Sequence, residues 1–139
     1  EHMFNNKVKY WEKNYEKFSH EINKIGYRSD CSGFISYMWG LDSNINKGGP
    51  KTYGKAEDNL QFWGKRIDKN SLKQGDILLV PENHVVIFDK WGDNKKKNYY
   101  LYELCNRPGC RGFLYHKVNY PYNLNERPTF VNPILLRKK

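Results

Sequence analysis

The cysteine at position 31 is the residue best suited to covalent chemistry. It stands in the segment SDCSGF at 29–34, where Asp30 is a suitable N-cap and Gly40 a suitable helix end. The following apolar residues recur at helical spacing: Phe34, Ile35 and Met38. The sequence therefore predicts a short helix that begins at Cys31, and the positive end of its dipole favours a thiolate. We expect the pKa of the Cys31 thiol to be lowered.

The neighbours of the sulfur are small, because Ser32 and Gly33 follow it directly. They leave room for a substrate beside Cys31. The alternative is that Cys31 is a buried hydrophobic residue, as free cysteines commonly are. A catalytic role requires a base within hydrogen-bonding reach and a third group that orients the base.

Histidine is the usual base for a thiol because its pKa lies near neutrality. The chain has four histidines. His2 lies at the terminus, His20 among charged residues, and His116 in a late strand pattern. His84 opens an apolar strand directly after a turn, which places it at the edge of the predicted sheet, beside the Cys31 helix. The alternative for His84 is a strand-end side chain that faces solvent.

Glu103 is the candidate for the orienting group. It is the only acid in the segment 99–104, and its neighbours are apolar or aromatic. Such a carboxylate is half-buried and needs a partner, which a ring proton of His84 would provide. Asn106 or a backbone carbonyl is the alternative orienting group. Glu103 would otherwise be an edge-strand charge that points to water.

The elements that must position these residues begin with an amphipathic helix over 5–23. Its apolar residues are spaced three or four apart: Val8, Trp11, Tyr15, Phe18 and Ile22. An irregular stretch at 41–58 follows the Cys31 helix, and the segment 60–67 fits either a short helix or a strand.

Five later segments have the composition of strands: 77–80, 84–88, 99–104, 113–118 and 129–136. The first two read as a β-hairpin. Because helices come first and a strand meander follows, the sequence predicts an α+β domain with N-terminal helices packed on an antiparallel sheet of about five strands.

Length and charge restrict the organisation further. The chain has 139 residues, which fits a single domain over 1–139. Residues 1–3 resemble a cloning remnant, so we expect the natural chain to be longer. The formal net charge of +9 favours a polyanionic partner, or else a solvated basic face. We expect no specific nucleic-acid partner, because no DNA- or RNA-binding motif is present. No apolar run has membrane-span length.

Cys105 and Cys110 flank an Arg-Pro-Gly turn that could bring their sulfurs together. One disulfide plus the free Cys31 uses all three cysteines and fits an oxidising compartment. Two free thiols or half of a metal site are the alternatives. The metal site lacks a second ligand pair, so we expect neither a metal nor a cofactor.

Three motifs together resemble a known family: DCSGF at 30–34, LKQGDI at 72–77 and HVVIF at 84–88. They are similar to the NlpC-type papain-like cysteine peptidases, cell-wall hydrolases that cut stem peptides in peptidoglycan. The resemblance covers residues 25–136. It implies a papain-like fold with Cys31 as nucleophile and His84 as base. NlpC-type enzymes most often place a histidine at the third position, and an acid such as Glu103 there is more similar to the related CHAP amidases.

The resemblance also implies residues that contact the substrate. A tyrosine before the cysteine helps to bind the oxyanion in this family, and Tyr27 is the nearest candidate, although its spacing differs. Asp30 and Ser32 flank the sulfur and are the other candidates for substrate or oxyanion contacts.

The expected function is hydrolysis of an amide or peptide bond through a thioester intermediate, with peptidoglycan stem peptides or another peptide as substrate. The expected location is secreted or cell-wall associated, and an inhibitor or immunity protein is a further expected partner. Two alternatives stay open: a secreted toxin or effector that acts on a protein amide, and a non-catalytic module that binds cell wall or a polyanion.

Overall fold

The computed structural model describes residues 2–17, 19–41, 48–107, 110–123 and 125–139, with the side chains at 16, 17, 19, 20, 106 and 107 outside the description. Four α-helices lie within these ranges: α1 His2–Lys17, α2 Ser19–Lys24, α3 Cys31–Met38 and α4 Leu60–Trp63. None of them is long and apolar enough to cross a membrane.

The strands form one antiparallel sheet of six members. They are β1 Gly64–Arg66, β2 Ile77–Val80, β3 His84–Trp91, β4 Asn98–Arg107, β5 Cys110–Asn119 and β6 Ile134–Lys138. Their spatial order is β1-β6-β2-β3-β4-β5. The last strand in sequence order, β6, therefore lies between β1 and β2, while the meander β2-β3-β4-β5 forms the other side.

Both faces of the sheet are covered, which follows from the two-residue period of a strand. In β2, Ile77 and Leu79 pack with helical residues such as Trp11 and Phe34. Leu78 points to the opposite face, into a second cluster. Members of that cluster come from β3 to β6 and from the segment after β5, where Tyr122 and Phe130 are buried. The double covering explains why β2 is apolar throughout.

Helix α3 begins as the sequence predicts. The Asp30 carboxylate caps it and accepts a hydrogen bond from the Gly33 backbone N–H at 2.7 Å. Gly33 is required because a Cβ at this position would lie 1.9 Å from the carbonyl oxygen of Arg28. Because the turn at 28–30 approaches the helix so closely, the start of α3 at Cys31 is fixed.

The α+β class with an antiparallel sheet is confirmed, but the expected strand number is wrong. The additional strand is β1, a short segment that pairs with β6. The ambiguous segment at 60–67 holds both predicted elements, since α4 leads directly into β1. The single helix expected over 5–23 is divided into α1 and α2, and Phe18 lies outside the described residues.

The turn before β2 is joined to β6 by an ion pair. Asp76 is 2% exposed and receives hydrogen bonds from Arg137 Nε at 2.9 Å and Nη2 at 2.8 Å. The backbone N–H of Lys73 donates to the same carboxylate at 2.9 Å. This arrangement fixes the start of β2, and the β2–β3 hairpin carries His84 at its far end.

We expect the substitution Asp76→Asn to lower the free energy of unfolding by about 2 kcal/mol, because charge-assisted hydrogen bonds of a buried carboxylate have that magnitude. Urea unfolding followed by tryptophan fluorescence measures the change. Asp68→Asn is the matched control, since Asp68 is exposed and its side chain makes no capping hydrogen bond. Equal stabilities of the two variants would contradict this account.

Candidate active site

A cavity of about 510 Å³ lies beside the start of α3 and the start of β3. Cys31 and His84 both line it. Cys105, Arg111 and Arg127 add to its wall, so that β4, β5 and the loop after β5 also contribute. The elements that carry the predicted nucleophile and base thus meet at one concave site.

Cys31 is held against the beginning of β3. Helix α3 packs on β3 and β4. The backbone N–H of Val85, the residue after His84, hydrogen-bonds the Cys31 sulfur, and so does the N–H of Ser32. The sulfur is therefore next to the chain segment from which the His84 side chain projects.

The expectation of a lowered pKa for Cys31 is wrong. Burial raises the pKa of this thiol, and the negative charge of Asp30 raises it further. Hydrogen bonds from the two backbone N–H groups and the positive charge of Arg127 act in the opposite direction but do not outweigh burial. At neutral pH the resting Cys31 side chain is consequently a neutral thiol.

His84 and Glu103 make the contact that the sequence predicts. The His84 Nε2 atom lies 2.7 Å from Glu103 Oε1. His84 is 3% exposed and Glu103 is fully buried. The two alternatives in which these side chains face solvent are therefore wrong. Phe130 packs edge-on against the His84 ring, with 6.1 Å between ring centroids.

Glu103 has two further hydrogen-bond donors on its other oxygen. His116 Nε2 lies 2.5 Å from Oε2, and the Tyr122 hydroxyl donates to the same atom. Burial alone would raise the pKa of Glu103, but the hydrogen bonds from His116, His84 and Tyr122 hold it well below its usual range. The buried Glu103 side chain is thus ionised at all ordinary pH values.

An ionised carboxylate only accepts hydrogen bonds. The His84 Nε2 atom must then carry the proton shared with Glu103. In the neutral imidazole this leaves Nδ1 as the acceptor nitrogen. The Glu103 contact therefore selects the tautomer that a general base for Cys31 requires.

His116 and Tyr122 are members of the site that the sequence prediction does not include. The β4–β5 register pairs Leu101 with His116 and Glu103 with Leu114. His116 is therefore a diagonal neighbour of Glu103, and diagonal side chains across an antiparallel pair are within reach. The register could have indicated His116, whereas Tyr122 reaches Glu103 only because the loop after β5 folds back.

The three residues expected to contact substrate occupy different environments. Asp30 lines the cavity, and its carboxylate accepts the hydrogen bond from the Gly33 N–H that caps α3. Ser32 is buried, and its hydroxyl accepts a hydrogen bond from Arg28 Nη2 at 2.9 Å. The Tyr27 hydroxyl donates to the Leu41 carbonyl, and Tyr27 is not one of the described cavity-lining residues. Their substrate contacts stay predictions, and for Tyr27 the hydroxyl is directed elsewhere.

The remaining residues considered as base or orienting group are His2, His20 and Asn106. His2 is exposed on α1. The side chains of His20 and Asn106 lie outside the described residues, so Asn106 as an alternative orienting group stays a prediction.

Cys105 and Cys110 form the predicted disulfide, which closes the β4–β5 hairpin. Among the described residues, one group has the spacing to hold a metal ion, and it consists of Glu103 and these two cysteines. Because the sulfurs are bonded to each other, they are not available as thiolate ligands. The disulfide is also consistent with an oxidising compartment.

Comparisons of the chain with known protein families, with curated proteins and with solved structures find no match. The case for a function therefore rests on the geometry of the cavity and on the chemistry of its residues. The resemblance of the three sequence motifs to NlpC-type peptidases stays an expectation.

The raised pKa of Cys31 predicts how its reactivity depends on pH. We expect the rate of alkylation by iodoacetamide to keep increasing through the alkaline range, because the thiolate is the reactive form. Asp30→Asn should shift this curve to lower pH, since asparagine preserves the helix cap and removes the charge. Asp68→Asn, at an exposed position, is the control. A rate that is constant from pH 6 upward in the wild type would contradict the prediction.

The lowered pKa of Glu103 predicts a stability that depends on pH. A carboxyl group whose pKa is lower in the native than in the unfolded state stabilises the fold at pH values above its unfolded-state pKa. This stabilisation is lost as the pH falls from the unfolded-state pKa toward the native pKa. Glu103→Gln should cost about 2–3 kcal/mol at neutral pH, because its amide group would face at least one of the three donors.

Urea unfolding at pH 7 and at pH 3 measures both effects. The difference between wild type and Glu103→Gln should be smaller at the lower pH. Glu57→Gln serves as the control, because Glu57 is exposed. An equal difference at the two pH values would show that the charge of Glu103 does not stabilise the fold.

Proposed function

We propose that the protein is a cysteine hydrolase that cleaves an amide or peptide bond, with Cys31 as nucleophile, His84 as general base and Glu103 as orienting group. One observation carries the proposal: the buried Glu103 carboxylate holds the His84 ring through Nε2 in the same cavity that Cys31 lines. A nucleophile, a base and a group that orients the base are the components of a catalytic triad.

The first step of the proposed reaction is attack of the sulfur on the substrate carbonyl. His84 Nδ1 takes the Cys31 proton as the S–C bond forms, and Glu103 stabilises the resulting imidazolium. General-base removal of the proton fits a thiol whose pKa is raised by burial. A preformed thiolate is not needed in this scheme.

The tetrahedral intermediate then collapses to a thioester. His84 returns the proton to the leaving amine, the C–N bond breaks, and water activated by the same histidine hydrolyses the thioester. The oxyanion is received in this proposal by the backbone N–H of Cys31, at the first turn of α3. No metal ion has a role in these steps.

Peptidoglycan stem peptides are the substrate that we favour. The motif resemblance points to them, and a papain-like arrangement is supported by a cysteine at a helix start packed on an antiparallel sheet that carries the histidine. The net charge of +9 favours association with an anionic cell wall. The disulfide supports a secreted or wall-associated location.

Digestion of purified peptidoglycan, with mass spectrometry of the soluble products, tests the proposal. We expect the wild type to release fragments in which each cleaved bond leaves a new carboxylate on one product and a new amine on the other. Cys31→Ala should release none, and His84→Ala should reduce the rate by roughly 10²–10⁴-fold, the usual contribution of a general base. His2→Ala is the control, since His2 is exposed on α1.

The outcomes separate the proposal from its alternatives. Identical fragments from wild type and Cys31→Ala would contradict cysteine hydrolysis. Retention of the protein on peptidoglycan without cleavage by any variant would favour the non-catalytic binding module. Cleavage of protein amides but not of peptidoglycan would favour the toxin or effector alternative.

A further inference from the structure

Two arginines line the same cavity as Cys31. Arg111 lies near the start of β5, and Arg127 lies in the segment between β5 and β6. The only described acid among the cavity-lining residues is Asp30, whose carboxylate already contacts Gly33 N–H and Arg28 Nε. The described cavity wall therefore offers no further acid to Arg127.

Arg127 is fixed in place by its surroundings. Its Nη2 atom lies 3.3 Å from Cys105 Sγ, and its guanidinium carbon is 5.7 Å from the centroid of the Tyr122 ring. Both contacts leave the guanidinium without a carboxylate, and no ion pair of Arg127 with a described acid is present. Its Nε atom is buried and has no described hydrogen-bond partner.

The buried carboxylate of Glu103 does not form an ion pair with Arg127. Both oxygens of Glu103 are taken by His84, His116 and Tyr122. A fixed cation in a cavity, with a buried N–H group that lacks a partner, is the condition in which binding of an anion is favourable. Arg127 and Cys31 line the same cavity, and the positive charge of Arg127 lowers the pKa of the Cys31 thiol, against the larger effect of burial.

We propose that Arg127 forms a subsite that binds a free carboxylate of the substrate next to the carbonyl that Cys31 attacks. A guanidinium group presents its N–H donors in a planar fork that matches a carboxylate. The substrate class is accordingly a peptide whose acyl portion bears a free carboxylate. The identification of this anion as part of a substrate rests on the proposed hydrolase function.

Alkylation of Cys31 tests the subsite without requiring hydrolysis. Iodoacetate and iodoacetamide transfer similar groups to a thiolate with release of iodide, but only iodoacetate carries a carboxylate. We expect Arg127→Gln to lower the iodoacetate rate about tenfold relative to the iodoacetamide rate, the effect of losing one charge-assisted hydrogen bond. The ratio of the two rates cancels changes in thiol reactivity, and peptide mass spectrometry identifies the labelled cysteine.

The control variant removes the same charge elsewhere. Arg66 is exposed on β1 and is not one of the described cavity-lining residues, so Arg66→Gln should leave the ratio unchanged. If Arg127→Gln does not fold, Arg127→Lys replaces it; this variant keeps the charge but loses the fork, and a reduced ratio is again expected.

An unchanged ratio in a folded Arg127 variant would overturn the proposal, and so would an equal decrease for the two reagents. A decrease of the same size in Arg66→Gln would assign the effect to net charge instead of a subsite. These results are independent of peptidoglycan digestion, so failure of the subsite is distinguishable from failure of the hydrolase proposal. If digestion succeeds, soluble stem peptides with free or amidated carboxylates extend the comparison to the substrate.

Discussion

The carboxylate of Glu103 is the constraint on which the candidate site depends. It is fully buried and charged, and its oxygens are hydrogen-bonded to His84, His116 and Tyr122. A buried charge is tolerated only when its hydrogen-bonding capacity is met. The three donors come from β3, β5 and the loop that follows β5. The carboxylate therefore ties the middle of the sheet to its edge and, in doing so, fixes the ring of His84.

The nucleophile is positioned by a separate set of contacts. Asp30 caps α3, and Arg28 joins this cap to the carbonyl groups of Gly49 and Pro50. Gly33 allows the chain to pass close to its own helix. Because α3 packs on β3, these contacts bring the Cys31 sulfur to the Val85 N–H. The site thus forms where a rigid turn meets a rigid strand end.

Local patterns were sufficient to predict much of this arrangement. The cap, the helix at Cys31 and the contact between His84 and Glu103 follow from spacing and from the polarity of neighbouring residues. The segment that contains β1 was left open between a helix and a strand, because Gly-Lys-Arg has no apolar alternation and is a strand only through its pairing with β6. The pKa of Cys31 was predicted in the wrong direction, since the burial that outweighs the helix dipole is a property of the folded chain. His116 and Tyr122 depend on strand register and loop closure, which single-sequence patterns do not specify.

The state of the His84 ring is the most direct test of whether Glu103 prepares a base for Cys31. Nitrogen-15 NMR of histidine-labelled protein at neutral pH distinguishes a proton on Nε2 from a proton on Nδ1, with His116→Gln used for assignment. The account predicts that His84 carries a hydrogen-bonded proton on Nε2, and that Glu103→Gln weakens this hydrogen bond. A His84 ring with Nδ1 protonated and Nε2 without a proton would contradict it.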